Sequence, residues 1–402
     1  MSARRHMVVA TGFAMLLAVL VVLERALARE AAGQATVQAP RFEVDPLWPK
    51  PLPNHWLIGS TIGVSVDTQD HVWIIHRPGS LVDNELGLDR KRGVCCAAAP
   101  PVLEFDAAGN LVGHWGGPGA GYEWPSSNHG ITADEKGNVW IGANGQEDAQ
   151  VLKFSRDGKF IRQFGRSGVR HSGETHDGVT WAANSNDPES FGRVAKIFFE
   201  PRDNEVYLAD GYLNRRVAVL DADSGKMKRS WGAYGSKPED ISLGDYDPKA
   251  PAARHFRSPV HCVYVSVDRL VYVCDRVNNR LQVFQTNGTF VKEAFLARET
   301  LGSGSVWDLA FSRDPQQTFI YVADGTNERV YILRRDTLEV LTTIGDGGRQ
   351  PGQFFGIHNI ATDSQGNIYT TETYEGKRLQ KFVYRGLRAV TRKEQGTPWP
   401  GR

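Results

Sequence analysis

Beyond residue 28, this 402-residue chain shows no apolar spacing that would support an amphipathic helix of more than a few turns. That absence excludes helical bundles and parallel sheets covered by helices. A charge excess is also missing, because 47 basic residues are balanced by 46 acidic ones spread along the chain, for a net charge of +1. No field gathers nucleic acid or an anionic membrane surface, so neither is expected as a partner. Cysteine is scarce, at four residues, too few for a scaffold built on disulfides. The mostly apolar run from Val8 to Leu23 is short for a bilayer span, which needs roughly 20 residues.

That run follows Arg4, Arg5 and His6 and precedes Ala26-Leu27-Ala28, the layout of a secretory signal with a small-residue cleavage site. Residues 1–28 are therefore expected to be a signal peptide, with an uncleaved anchor as the alternative, and the protein to be secreted or periplasmic. In such an oxidising compartment Cys262 and Cys274, on two short strands folded about Asp268, are expected to face each other and bridge. Directly opposed strand positions lie about 4.5–5.5 Å apart at Cα, within disulfide range. The adjacent Cys95 and Cys96 sit on a small-residue loop and are expected to be loop thiols of unknown pairing.

What the chain has in abundance is repetition. Six units recur, each with about four alternating apolar segments separated by Asp-x-x-Gly-Asn or Asp-Gly turns. They start near Ile62, His129, Ala195, His261, Trp307 and His358. Short strands joined by hairpins, four to a unit and six units long, predict an all-β, six-bladed β-propeller. The propeller is expected over residues 41–386, after a linker at 29–40 and before a tail at 387–402. The early stretch Arg41-Phe-Glu-Val-Asp is expected to complete the last blade and close the ring, removing its open edges. Two long connections, Arg166 to Arg193 and Gly232 to Ser258, are expected beside the face where the units begin. His171 and His176 in the first of them are expected to be solvated.

Histidine opens units two, four and six, as His129, His261 and His358, in the same phase. Alternate blades of a six-fold ring place them about 120° apart around one axis. Three neutral imidazoles leaving one position open form a catalytic zinc arrangement, with nitrogens about 2.1 Å from the metal and so within about 4 Å of one another. Arg77 and Tyr212 follow the ends of second strands and are expected at the rim of the same tunnel. A tyrosine beside a metal and a permanent cation is expected to have its pKa lowered toward that of a useful base.

These residues resemble the NHL-repeat six-bladed propellers and, within them, the peptidyl-α-hydroxyglycine α-amidating lyases. The resemblance covers nearly all of residues 60 to 385. It rests on Gly63-Val64 followed by His76-Arg77, Pro-x-x-x-His-Gly around His129, Asp210-Gly-Tyr-x-Asn-x-Arg, Pro-Val-His ending at His261, and Ile357-His358. It implies zinc on His129, His261 and His358, Tyr212 as base, and Arg77 stabilising negative charge. It also implies a structural calcium held by the carbonyls of Val64 and Ile131 and by the side chain at position 359, where this chain has Asn359 in place of the family's aspartate. Position 356 is glycine where the family has methionine, implying a wider pocket. The implied reaction is cleavage of a carbinolamide C–N bond to an amide and glyoxylate, on a small-molecule or peptide substrate, and the chain itself is expected to be a monomer. A non-catalytic secreted propeller that binds a peptide or glycan is the competing reading, and it has no need of one zinc per chain. A calcium-dependent lactone hydrolase would want Glu, Asn and Asp on the axis, where this chain has histidine.

Overall fold

The structure is a computed structural model that describes residues 37–168, 183–390 and 394–400, together with Leu20. Apart from Leu20, the signal-peptide segment lies outside the described residues, as do His171 and His176. The period-two alternation of the repeats forms six four-stranded antiparallel sheets. Blade one comprises Ser60–Val66, Val72–Arg77, Val102–Phe105 and Leu111–Trp115. The innermost strands of blades two to six are Asn128–Ala133, Val194–Glu200, Val260–Val265, Asp308–Phe311 and Ile357–Thr362. Between residues 37 and 400, helix among the described residues is confined to three-residue 3₁₀ turns.

The six innermost strands contact one another in sequence, and the sixth touches the first, so the ring is closed. Closure uses the expected device: Val37–Asp45 pairs antiparallel with the last strand, Arg378–Val390, as the outermost strand of blade six. The ladder runs from Val37 opposite Val390 to Asp45 opposite Lys381, so it is longer than the sequence suggests at one end, before Arg41. Beyond it the chain docks back, with Val44 N–H donating to the Pro398 carbonyl and Gly345 N–H to that of Gly396.

Each blade is covered on both faces by its neighbours, which explains why the second strands, such as Glu205–Asp210 and Phe319–Asp324, are buried along their whole length. Outermost strands such as Leu111–Trp115 alternate between part-buried and exposed. The core accordingly divides into six slabs, one per blade interface. Apolar burial on two faces stabilises each sheet without a central oily core, which leaves the axis available to polar side chains.

Cys262 and Cys274 are directly opposed and bridged, with a Cα separation of 4.8 Å. Cys95 and Cys96 are bonded to each other; the loop expected to carry thiols of unknown pairing brings adjacent residues together.

Candidate metal centre

Counting back from the turn that follows it, each innermost strand offers one residue at the mouth of the tunnel: Ile62, His129, Ala195, His261, Trp307 and His358. In blades four and six the register slips at this position, and the bulged residue is the histidine itself. A bulge re-aims a side chain, here toward the axis. In blade two the slip falls one residue later, at Gly130. Gly130 has φ of +68°, and a Cβ there would lie 2.6 Å from the Ala195 carbonyl oxygen. Only glycine permits that approach, and it delivers the Ala195 carbonyl to His129.

The three imidazoles are buried and mutually edge-on, with ring centroids 4.9, 4.9 and 5.3 Å apart. Each is held through Nδ1. His129 Nδ1 lies 2.8 Å from the Ala195 carbonyl, His261 Nδ1 2.5 Å from the Trp307 carbonyl, and His358 Nδ1 2.5 Å from Asn359 Oδ1. A carbonyl oxygen only accepts, so Nδ1 carries the proton and Nε2 keeps its lone pair toward the axis. Burial holds all three in the neutral form: His129 and His261 titrate well below the usual histidine value, and His358 is pushed down to about 3. The positive charges of Arg77 and Arg276 push His129 and His358 further down, and Arg276 alone does so for His261. The donors of this triad lie within 4.8 Å of one another, so three nitrogens converge on one point as the sequence predicts.

Tyr212 stands beside two of these nitrogens. Its hydroxyl is 3.0 Å from Nε2 of both His129 and His261. The Asp-Gly-Tyr-x-Asn-x-Arg sequence builds its support. Asp210 accepts from Gly192 N–H, Asn214 Nδ2 and Arg216 Nε at 2.6, 2.8 and 2.8 Å. Arg216 in turn donates to the carbonyls of Ser185, Asp187 and Ser190, anchoring the described end of the first long connection. Gly211 packs against the Val260 backbone where a Cβ would meet the carbonyl at 2.1 Å. Ser258, at the end of the second long connection, donates to the Tyr212 carbonyl at 2.9 Å. The Tyr212 pKa is raised rather than lowered, because burial outweighs the pull of Arg276 and Arg77. The expectation of a lowered value therefore fails for the protein side chains alone.

Arg77 is close enough to act electrostatically on Tyr212, His129 and His358, and it is oriented by Asn144 Oδ1 at 2.7 Å and the Asn128 carbonyl at 3.2 Å. A second arginine, Arg276, was not singled out from the sequence. It donates to the Tyr212 hydroxyl at 3.3 Å and stacks 4.4 Å from the Trp307 ring. The signal was present, since Arg276 comes one residue after Asp275 as Arg77 comes one after His76, and Asp275 and His76 hold equivalent places in their blades. Gly356 has φ of +77° and its N–H is held by Glu328 at 2.7 Å. A methionine there would be strained, so the absence of a large side chain at this rim position is built into the backbone.

His76, the neighbour of Arg77, is structural. Its Nδ1 accepts from Gly59 N–H at 3.0 Å and its Nε2 donates to the Pro100 carbonyl at 2.9 Å, and burial lowers its pKa to about 4. The folded protein thus refuses a proton that the unfolded chain takes up near pH 6.5. Stability from His76 is full above that value and lost as pH falls toward 4, by about 2–3 kcal/mol. Urea unfolding at pH 7 and pH 4.5 should show a smaller acid loss in His76→Gln than in the parent. Equal losses would remove His76 from the account.

A second cluster, Asp67, His71 and Glu104, also has metal-ligating atoms close together. Arg156 bonds to Asp67 Oδ2 at 2.8 Å and to Glu104, and its guanidinium lies over Trp73. That cation already pairs with both carboxylates, so the cluster is an ion-pair network.

No family model matches the chain. It is 26% identical over 246 residues to the peptidylglycine alpha-amidating monooxygenase of Rattus norvegicus, covering 59% of this chain and 22% of that protein. With peptidyl-alpha-hydroxyglycine alpha-amidating lyase 1 of Drosophila melanogaster it shares 25% identity over 364 residues, 85% of this chain and 59% of that one. The chain thus spans about a fifth of the rat relative's length and under two thirds of the fly relative's. Among solved structures, a streptogramin B lyase superposes with a TM-score of 0.52 at 12% identity, over 86% of this chain and 98% of that one. That likeness shows the propeller fold. The resemblance to the amidating lyases is supported at low identity.

Proposed function

We propose that the protein is a zinc-dependent lyase that cleaves a carbinolamide C–N bond, releasing an amide and glyoxylate. The observation that carries this reading is the convergence of three neutral, Nδ1-anchored imidazoles on one point, with the Tyr212 hydroxyl between two of them. The donor set suits zinc, which takes three histidine nitrogens and leaves one position for substrate. His129, His261 and His358 would hold the ion. When bound it supplies a Lewis acid at the axis and a positive charge that favours the tyrosinate form of Tyr212.

The rest is the work of the chain's own residues. Tyr212 is placed to take the hydroxyl proton of the substrate as the C–O bond becomes a carbonyl. The C–N bond breaks with its electron pair moving to nitrogen, and the proton on Tyr212 returns to that nitrogen. Arg77 and Arg276, both close enough to act on Tyr212, would offer planar cationic donors to the carboxylate of an α-hydroxyglycine. Trp307 and the buried strand ends keep bulk water from the axis, which strengthens those interactions. On this reading the protein works outside the cytoplasm as a monomer, on a peptide or small-molecule carbinolamide.

The test is direct. Purified zinc-loaded protein should release glyoxylate from an N-acyl-α-hydroxyglycine well above the uncatalysed rate. No release, with no zinc bound on elemental analysis, would favour a non-catalytic binding propeller. Arg276→Gln should lower kcat/KM roughly 10²-fold, the usual worth of one donor to developing or substrate charge, with metal content unchanged. Parental kinetics in that variant would remove Arg276 from the site.

A further inference from the structure

The residue after each tunnel-mouth position forms a second layer on the axis: Gly63, Gly130, Lys196, Cys262, Asp308 and Asn359. Two are glycines, and Cys262 is turned into its bridge with Cys274. The layer is therefore made by Lys196, Asp308 and Asn359, which are 2%, 0% and 1% exposed. Lys196 Nζ lies 3.1 Å from Asp308 Oδ2. The same oxygen accepts from Asn359 Nδ2 at 2.7 Å and from Ile360 N–H at 3.1 Å. Because the Asn359 amide nitrogen faces Asp308, its Oδ1 faces His358 and accepts from Nδ1. Lysine, aspartate, asparagine and histidine thus form one buried relay from blade three to blade six.

This is where the resemblance implies a structural calcium, and the residues do not fit one. Calcium takes six to eight oxygen ligands. Asn359 Oδ1 is already engaged by His358, and Asp308 Oδ2 is already engaged by four donors, from Lys196, Asn359, Ile360 and the Tyr264 hydroxyl. Among these side chains only Asp308 Oδ1 is without a partner, and a divalent ion bound there would be close to an ammonium. Val64 and Ile131 do line the cavity of about 430 Å³ that opens beneath, but Lys196 lines it with them. Asparagine for aspartate at 359 removes one negative charge, and a lysine ammonium for a divalent ion removes one positive charge. The two departures compensate.

We propose that Lys196 is a tethered cation that takes the place of calcium on the propeller axis, holding Asp308, and through Asn359 the tautomer of His358, without any exchangeable ion. The inference does not depend on the lyase reading, because calcium content and thermal stability report it without an assay of activity. After gel filtration of the full chain in millimolar calcium chloride, elemental analysis should find fewer than about 0.1 calcium per chain, well below a filled site. Its Tm should be the same in calcium chloride as in magnesium chloride. One bound calcium, or a calcium-specific rise of roughly 3 °C or more, overturns the proposal.

Lys196→Met strands the Asp308 carboxylate and should lower Tm by about 5 °C or more. Adding Asp308→Asn should recover at least half of that loss, since the buried charge is then gone. A double variant no more stable than Lys196→Met alone also overturns the proposal. Should Lys196→Met fail to fold, the calcium measurements on the parent decide. In the converse direction, Lys196→Ser with Asn359→Asp should acquire a Tm that rises with calcium, and absence of any rise would count against a calcium-like position for the ammonium.

Discussion

Replacing His261 by alanine is expected to remove bound metal and turnover together, leaving a folded propeller. His261 lies at the bulge of blade four, where it contributes one of three nitrogens and one hydrogen bond to the Trp307 carbonyl of blade five. With two imidazoles left, affinity falls by orders of magnitude, and elemental analysis should find little zinc where the parent carries about one ion per chain. The loss of one imidazole strands the Trp307 carbonyl, so Tm should drop by a few degrees without loss of cooperative unfolding. The control is His71→Gln, which alters the other cluster of potential ligands. Because Arg156 already pairs with Asp67 and Glu104, this variant should keep its full metal content. Metal lost in His71→Gln and kept in His261→Ala would move the metal site to blade one and end the lyase proposal.

Replacing Tyr212 by phenylalanine is expected to reduce turnover by roughly 10² to 10⁴, the worth of a positioned acid or base, while zinc content stays at the parental level. The ring would remain packed 4.9 Å from His129 and 5.7 Å from the Arg276 guanidinium. Only the hydroxyl, with its contacts to two imidazoles and Arg276, is lost. Measuring kcat and KM separately locates the effect: a fall in kcat with little change in KM belongs to proton transfer, and a change in KM alone to binding. Turnover of an α-hydroxyglycine substrate within threefold of the parent would exclude Tyr212 as the base. It would turn attention to the arginines as the charged groups at the reacting centre.

Several features of the site could be read directly from residue order. The phase of His129, His261 and His358 against their turns was visible because strand and turn are decided by neighbours a few residues apart. The same holds for the opposition of Cys262 and Cys274 about Asp268. Arg276 carried the phase of Arg77 and could have been found by applying the blade register to every unit rather than to the first. Lys196 and Asp308 likewise sit one position past the axial residue of blades three and five, where blades one and two carry glycine, which has no side chain to mark the position as a layer. The raised pKa of Tyr212 among the protein side chains alone was not legible for another reason. Proximity to cations can be inferred from position, but full burial of the hydroxyl cannot, and burial dominates.

By itself the sequence determined the strand count, the six-fold repeat, the closing strand and the alternate placement of three histidines, since each follows from local periodicity and turn chemistry. Only the tertiary structure decided which atoms meet on the axis. Lys196 reaches Asp308 across 112 residues, and His129 reaches the Ala195 carbonyl across 66. Those meetings depend on ring closure and on the one-residue difference between the bulge of blade two and those of blades four and six. A slip of one residue re-aims a side chain without changing any local propensity, so no local pattern in the chain could record it.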